Sequence, residues 1–229
     1  MIMRALLRST ALACLVSLPA HAGNILLPAQ IGGAYSIPAT SLKEIRFRST
    51  IRQQYDFSCG SAALATLLTH HYQRAVKEES VFAEMFARGD QAKIQREGFS
   101  LLDMKRYLSA HGFIADGFEA PLERLEEASI PAIALINEGG YNHFVVIKGL
   151  RSGRVLVGDP SGGTKAMSRQ RFESVWVNQL LFVITNRTEL ARFNQDKDWR
   201  VAPKAPISHA PHSGQHQMAP SPKFGPGDF

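Results

Sequence analysis

The chain has 229 residues, of which 45% are hydrophobic and 20% charged, and it carries a formal charge of +6. Its Lys and Arg residues form no stripe interleaved with aromatics, which excludes a nucleic-acid footprint. So small an excess of charge gives only a weak, unspecific attraction to anionic envelope surfaces.

The N-terminus reads as a secretory signal, residues 1–22. Arg4 and Arg8 form the positive region, Ala11 to Leu18 an apolar core too short to span a bilayer, and Ala20-His21-Ala22 the cleavage site. Cleavage after Ala22 removes Cys14 and leaves Cys59 as the single cysteine. No later segment is long and apolar enough to cross a membrane, so a soluble protein of the periplasm is predicted. That compartment is oxidising, and an unpaired cysteine there is a liability unless it has a use.

Residues 23–46 form an N-terminal lead-in. Ile25, Leu26 and Leu27 suit packing on the body, and Gln30-Ile31-Gly32-Gly33-Ala34 is loop-like. The glycine pair makes self-cleavage after Gly33 physically feasible, against the simpler reading of an ordinary loop. Ile45 and Phe47 alternate with Arg46 and Arg48, the pattern of a half-buried strand leading to Gln53. Ser58 is then a candidate N-cap, and Ala62, Ala63, Leu64, Ala65, Leu67 and Leu68 predict a helix apolar on most of its circumference, hence buried. Cys59 falls in its first turn, where the helix dipole favours a thiolate. His70, His71 and Tyr72 read as the solvated end of that helix.

Two more helices are predicted at 78–87, with Val81, Phe82, Met85 and Phe86 inward, and at 100–110. In the latter Ser100 and Asp103 form a capping box, and Leu101, Leu102, Met104, Tyr107 and Leu108 form the buried face. A short helix spans 121–127. Strands follow at 131–136, 143–150 and 154–159, separated by turns at Asn137–Gly140 and Arg151–Gly153; Pro160-Ser161-Gly162-Gly163 then breaks the pattern. A short helix over 169–176 and a closing strand over 179–184 complete a single α+β domain, residues 47–187, with helices first and an antiparallel sheet after. From Asn194 six prolines with Gly, Ser, His and Gln predict a disordered tail, 194–229. His209, His212 and His216 lie in it with nothing to preorganise a metal site, so neither metal nor cofactor is expected.

A cysteine nucleophile needs a base and a group to orient that base. His70, His71, His111 and His143 are the choices in the folded part. His111 sits beside the Gly112 helix end, where a cation is simply welcome. His143 opens an apolar strand after a glycine turn. If the following turn centres on Arg151-Ser152, His143 faces Pro160 and lies beside Asp159; a turn at Ser152-Gly153 shifts the register by two and keeps the ends adjacent. Asp159 could then fix the imidazole tautomer and leave the other ring nitrogen to Cys59. Gln53 or Gln54 could donate to an oxyanion together with the Cys59 N–H, and the residues alone do not choose between them.

Gln53-x5-Cys59-Gly60-x-Ala62, a buried helix, His143-Phe144-Val145-Val146 and Asp159-Pro160 together resemble the C39 family of cysteine peptidases, over roughly Phe47 to Ile184. The resemblance implies a papain-like fold with catalytic Cys59, His143 and Asp159 and with Gln53, rather than Gln54, as oxyanion donor. Family members that remove double-glycine leaders are fused to ABC transporters; this chain has an export signal and no transporter. It is more similar to the stand-alone exported members that accompany bacterial functional-amyloid (Fap) secretion systems. The resemblance then implies processing of, or support for the secretion of, functional-amyloid or other exported polypeptides, with amyloid subunits and secretion-pore components among the candidate substrates. Two further readings stay open: a catalytically idle C39-like module that binds extended peptides, and a cell-wall amidase. The latter usually shows Asp-Cys-Ser where this chain has Ser58-Cys59-Gly60.

Overall fold

The computed structural model describes residues 24–26, 36–38 and 41–201. The signal at 1–22, the Gly32-Gly33 pair and the tail histidines lie outside the described residues. Strands β1 (Asn24–Leu26) and β2 (Ser36–Pro38) pair antiparallel. Helix α1 (Leu42–Phe47) follows, where a strand was expected from Ile45 and Phe47. The Ser41 hydroxyl accepts from the Glu44 amide, and the Glu44 carboxylate accepts from the Ser41 amide. That reciprocal cap outweighs a four-residue alternation.

Helix α2 (Cys59–Thr66) is buried at all eight residues. It packs between α3 (Glu78–Arg88), α5 (Leu101–Ala110) and the sheet. A π-helical turn, Leu67–His71, extends it and carries His71 and Tyr72 fully inside, so the solvated end expected there is corrected. His71 Nδ1–H donates to the Arg192 carbonyl at 2.5 Å. Burial, with the Lys148 charge nearby, pushes its pKa down to about 3, so the ring is neutral. An unanticipated helix, α4 (Gln91–Glu97), begins at the Asp90 cap. The Ser100–Asp103 capping box of α5 forms. Leu102 is 53% exposed rather than inward, because it sits a hundred degrees round the helix from the Leu101–Met104–Leu108 stripe.

Six strands make one antiparallel sheet in the order β3 (Ala115–Glu119), β8 (Trp176–Ile184), β4 (Ala132–Glu138), β5 (Tyr141–Arg151), β6 (Arg154–Asp159), β7 (Gly163–Ser168). The two edge strands, β3 and β7, were not foreseen. Central β5 is buried on both faces, which is why its residues Phe144 to Ile147 are all apolar rather than alternating. Its Phe144 and Val146 meet the helical layer, and its Val145 and Ile147 meet the layer of α6 (Glu123–Ala128) and α7 (Arg169–Glu173). Trp176, expected at a helix end, opens β8.

Order does not stop at Asn194, which corrects the start of the expected tail. The Asn194 side chain accepts from the Leu150 N–H at 2.8 Å, and helix α8 (Asp196–Trp199) buries Asp198 and Trp199. Asp198 lies 3.5 Å from the ammonium of Lys148, itself fully buried. A buried lysine needs a counter-charge, and this C-terminal segment supplies one.

Candidate active site

Cys59 is a free, buried thiol at the first residue of α2. Ser58 precedes the helix without capping it. Its hydroxyl accepts from the Tyr55 N–H and donates to the Tyr55 carbonyl, so it tightens the turn ahead of the cysteine instead. Tyr55, Phe57 and Phe82 brace that turn with ring centroids 5.1–5.9 Å apart. Gly60 lets α2 approach closely: a Cβ there would lie 2.9 Å from Phe99 Cβ and 3.0 Å from Met104 Cε.

The β5–β6 turn is Ser152-Gly153, with φ of 51° and 69°. Arg151 pairs with Arg154, the register shifts around Lys148, and Ile147 pairs with Val157. His143 and Asp159 end in direct contact, Nε2–H donating to Oδ1 at 2.8 Å. Both are buried, 7% and 4% exposed. The other ring nitrogen, Nδ1, has no hydrogen-bond partner. Burial opposes a charged ring; the hydrogen bond to Asp159 and, after it, Cys59 overcome this and push the His143 pKa up to about 9. Cys59 thus lies within electrostatic reach of the ring, although no Sγ–Nδ1 hydrogen bond of good geometry forms.

Asp159 sits in a cage. Its Oδ1 also accepts from the Ser161 N–H at 2.8 Å, the Ser161 hydroxyl at 2.7 Å and the Gly162 N–H at 3.2 Å. Its Oδ2 accepts from Lys165 Nζ at 2.8 Å. Burial would raise the Asp159 pKa, but His143, Lys165 and Ser161 hold it far below the usual carboxylate range.

Gln53 and Gln54 part company. Gln54 Nε2 donates to Glu79 at 2.5 Å, on the exposed surface. Gln53 lines a cleft of about 440 Å³ with Asp56, Glu138, Tyr141, His143, Asp159 and Ser161. Its N–H donates to the Pro160 carbonyl at 3.1 Å, tying the loop before Cys59 to the turn after Asp159. Its side-chain Nε2 donates to the Tyr55 carbonyl at 3.1 Å and, weakly, to the Asp56 carbonyl at 3.4 Å. The Tyr141 hydroxyl donates to that same Asp56 carbonyl at 2.8 Å and competes with Gln53 there; the 3.4 Å contact leaves the second amide hydrogen of Gln53 weakly engaged. Of the other histidines, His111 stacks on Tyr107 and its Nδ1–H donates to the Tyr107 carbonyl, while His70 and His71 lie beside Lys148 and Asp198.

Sequence reasoning missed Lys165, Ser161 and Tyr141. The signal for the first two was present: Pro160-Ser161-Gly162-Gly163 joins two strands rather than ending one. Tyr141 carried no signal, because its partner lies eighty-five residues away in the chain.

The family model of the peptidase C39 family matches residues 48–188. A protein of Pseudomonas fluorescens described as a probable functional amyloid protease, FapD, is 40% identical over 167 residues, covering 72% of this chain and 74% of its own length. Its namesake from Pseudomonas aeruginosa is 39% identical over 183 residues, 80% of each chain. Among solved structures, the peptidase domain of Streptococcus ComA, a bifunctional ABC transporter, superposes with a TM-score of 0.51 at 20% identity, over 59% of this chain and 96% of that one. At that identity the likeness concerns the fold, which is the papain-like arrangement of helices on an antiparallel sheet.

Proposed function

The chain belongs to the peptidase C39 family and is a cysteine peptidase, and from that premise we propose an exported endopeptidase in which Cys59, His143 and Asp159 form the triad and Gln53 completes the oxyanion site. The observation that carries the reading is the buried His143–Asp159 hydrogen bond, with the second ring nitrogen unpartnered beside Cys59. In this scheme the Cys59 thiolate attacks the scissile carbonyl carbon. The oxyanion takes the Cys59 N–H and the weakly held hydrogen of the Gln53 amide. His143 gives its proton to the departing amine nitrogen, leaving a thioester on Cys59. Water, losing a proton to His143, then releases the acyl product. Asp159 holds the ring and stabilises the imidazolium throughout.

The two relatives described as probable functional amyloid proteases support a polypeptide substrate of a functional-amyloid system; amyloid subunits, secretion-pore components and other exported polypeptides are the candidates. The leader at 1–22 supports work in the periplasm after cleavage behind Ala22, with 47–187 as the peptidase domain. The test is mass spectrometry of exported proteins from cells carrying the unmodified chain or Cys59→Ala. Peptides that end at internal cleavage sites should vanish in Cys59→Ala, which deletes the nucleophile and little volume. Identical peptide sets from the two strains would refute the nucleophile assignment.

A further inference from the structure

Asp159 is held by more than a triad carboxylate needs. Strand β7 pairs Asp159 with Gly163 and Gly158 with Thr164, which sets Lys165 next along the hairpin. The Lys165 side chain is one-third exposed, yet its ammonium reaches the buried Oδ2 at 2.8 Å, while Oδ1 takes His143. A cation on the far oxygen fixes the carboxylate plane, so Oδ1 stays aimed at the ring. It also shares the carboxylate's charge with the imidazolium. The other titratable groups facing the pair are Cys59 from α2, Tyr141 from β5, Asp56 in the loop before α2 and Glu138 at the end of β4. Each of these becomes negative on ionising, so each favours the charged ring. Among the described residues in contact with the pair, Lys165 is the cation.

We propose, resting on the triad reading above, that Lys165 is a positioning residue for the catalytic pair: it anchors Asp159 and draws off part of its charge, so that His143 gives its proton to the leaving amine more readily than it would beside an unshared carboxylate. A buried imidazolium facing an unshared carboxylate holds its proton more tightly and is the weaker general acid. Lys165 counters that hold without occupying the cleft.

The test uses the full chain and its Lys165→Met, Lys165→Gln and Lys165→Arg variants. The His143 imidazole is titrated from pH 6 to 11 by long-range proton–nitrogen NMR. The neutral variants should move its midpoint upward by about one pH unit, the effect of one removed charge at partly screened range. Arg should leave the midpoint in place. Gln keeps an N–H donor for Oδ2 without the charge, so a shift in both Met and Gln isolates the charge from the hydrogen bond. Gln also carries the test if Met fails to fold. A midpoint that stays put or falls in the neutral variants overturns the proposal. Failure of the triad reading looks different: Cys59→Ala would then leave the His143 midpoint of the otherwise unmodified chain unmoved.

Discussion

Removing the Asp198 carboxylate by Asp198→Ala should destabilise the docking of α8 and with it the domain, and the size of the effect should depend on pH. Lys148 has no solvent exposure. Without Asp198 its ammonium keeps the Ser49 carbonyl at 2.8 Å, the Ser49 hydroxyl at 2.6 Å and the Thr164 hydroxyl at 3.3 Å, but no counter-charge. Stripping one partner from a buried pair costs about 3–5 kcal/mol. The 3.5 Å separation and the surviving oxygens place this pair at the low end, about 3 kcal/mol where Lys148 stays protonated. The amine has an escape. Burial already lowers its pKa to about 8, against Asp198, which raises it. The variant's value drops further, so near pH 9 the side chain is neutral in both proteins and the difference shrinks. The sign is that of a depressed group: its contribution to stability is complete above the unfolded value of 10.5 and is lost as pH falls through the folded one. Urea unfolding followed by fluorescence of Trp176 and Trp199 at pH 6.5 and 9 reads both numbers. At pH 6.5 the loss corresponds to about 6–12 °C in Tm for a domain of this size. Lys148→Met added to Asp198→Ala should recover much of it, since the orphan charge is gone. A loss that is equal at the two pH values, or under about 0.5 kcal/mol at pH 6.5, would refute the argument from the buried charge.

Asp159→Asn should reduce turnover less than His143→Ala does, because a cysteine–imidazolium pair outlasts a weaker orienter; equal and complete losses in folded variants would count against that ranking. Tyr141→Phe frees the Asp56 carbonyl to take the second Gln53 hydrogen, so kcat should fall about three- to tenfold with KM little changed. A matching rise in KM alone would mean that Tyr141 contacts substrate rather than the oxyanion donor's surroundings. Gly60→Val forces Phe99 and Met104 off α2 and should cost about 1–3 kcal/mol; calorimetry showing an unchanged Tm would mean that the approach of α5 to α2 is loose.

What is legible in the sequence is what local spacing and composition control. The buried circumference of α2 follows from six small or aliphatic residues after Cys59, and the α5 cap follows from Ser100 and Asp103 three residues apart. The apolar residues Phe144 to Ile147 announce a strand, which the structure buries on both faces. Even α1 is legible in Ser41 and Glu44, whose capping box outweighs the short alternation after them. The tertiary structure alone decides which atoms meet. The register shift at Lys148 is invisible along the chain, and it determines where His143 lies relative to Asp159. Asp198 sits in a polar stretch running into the proline-rich residues from Pro203, which composition reads as tail; it is ordered because a lysine fifty residues earlier is buried and needs its charge. Lys165 is one cation among many until the β6–β7 hairpin folds it onto Oδ2. Local propensity acts over a few residues, whereas a buried charge takes its partner from whatever part of the chain the closed core brings to it.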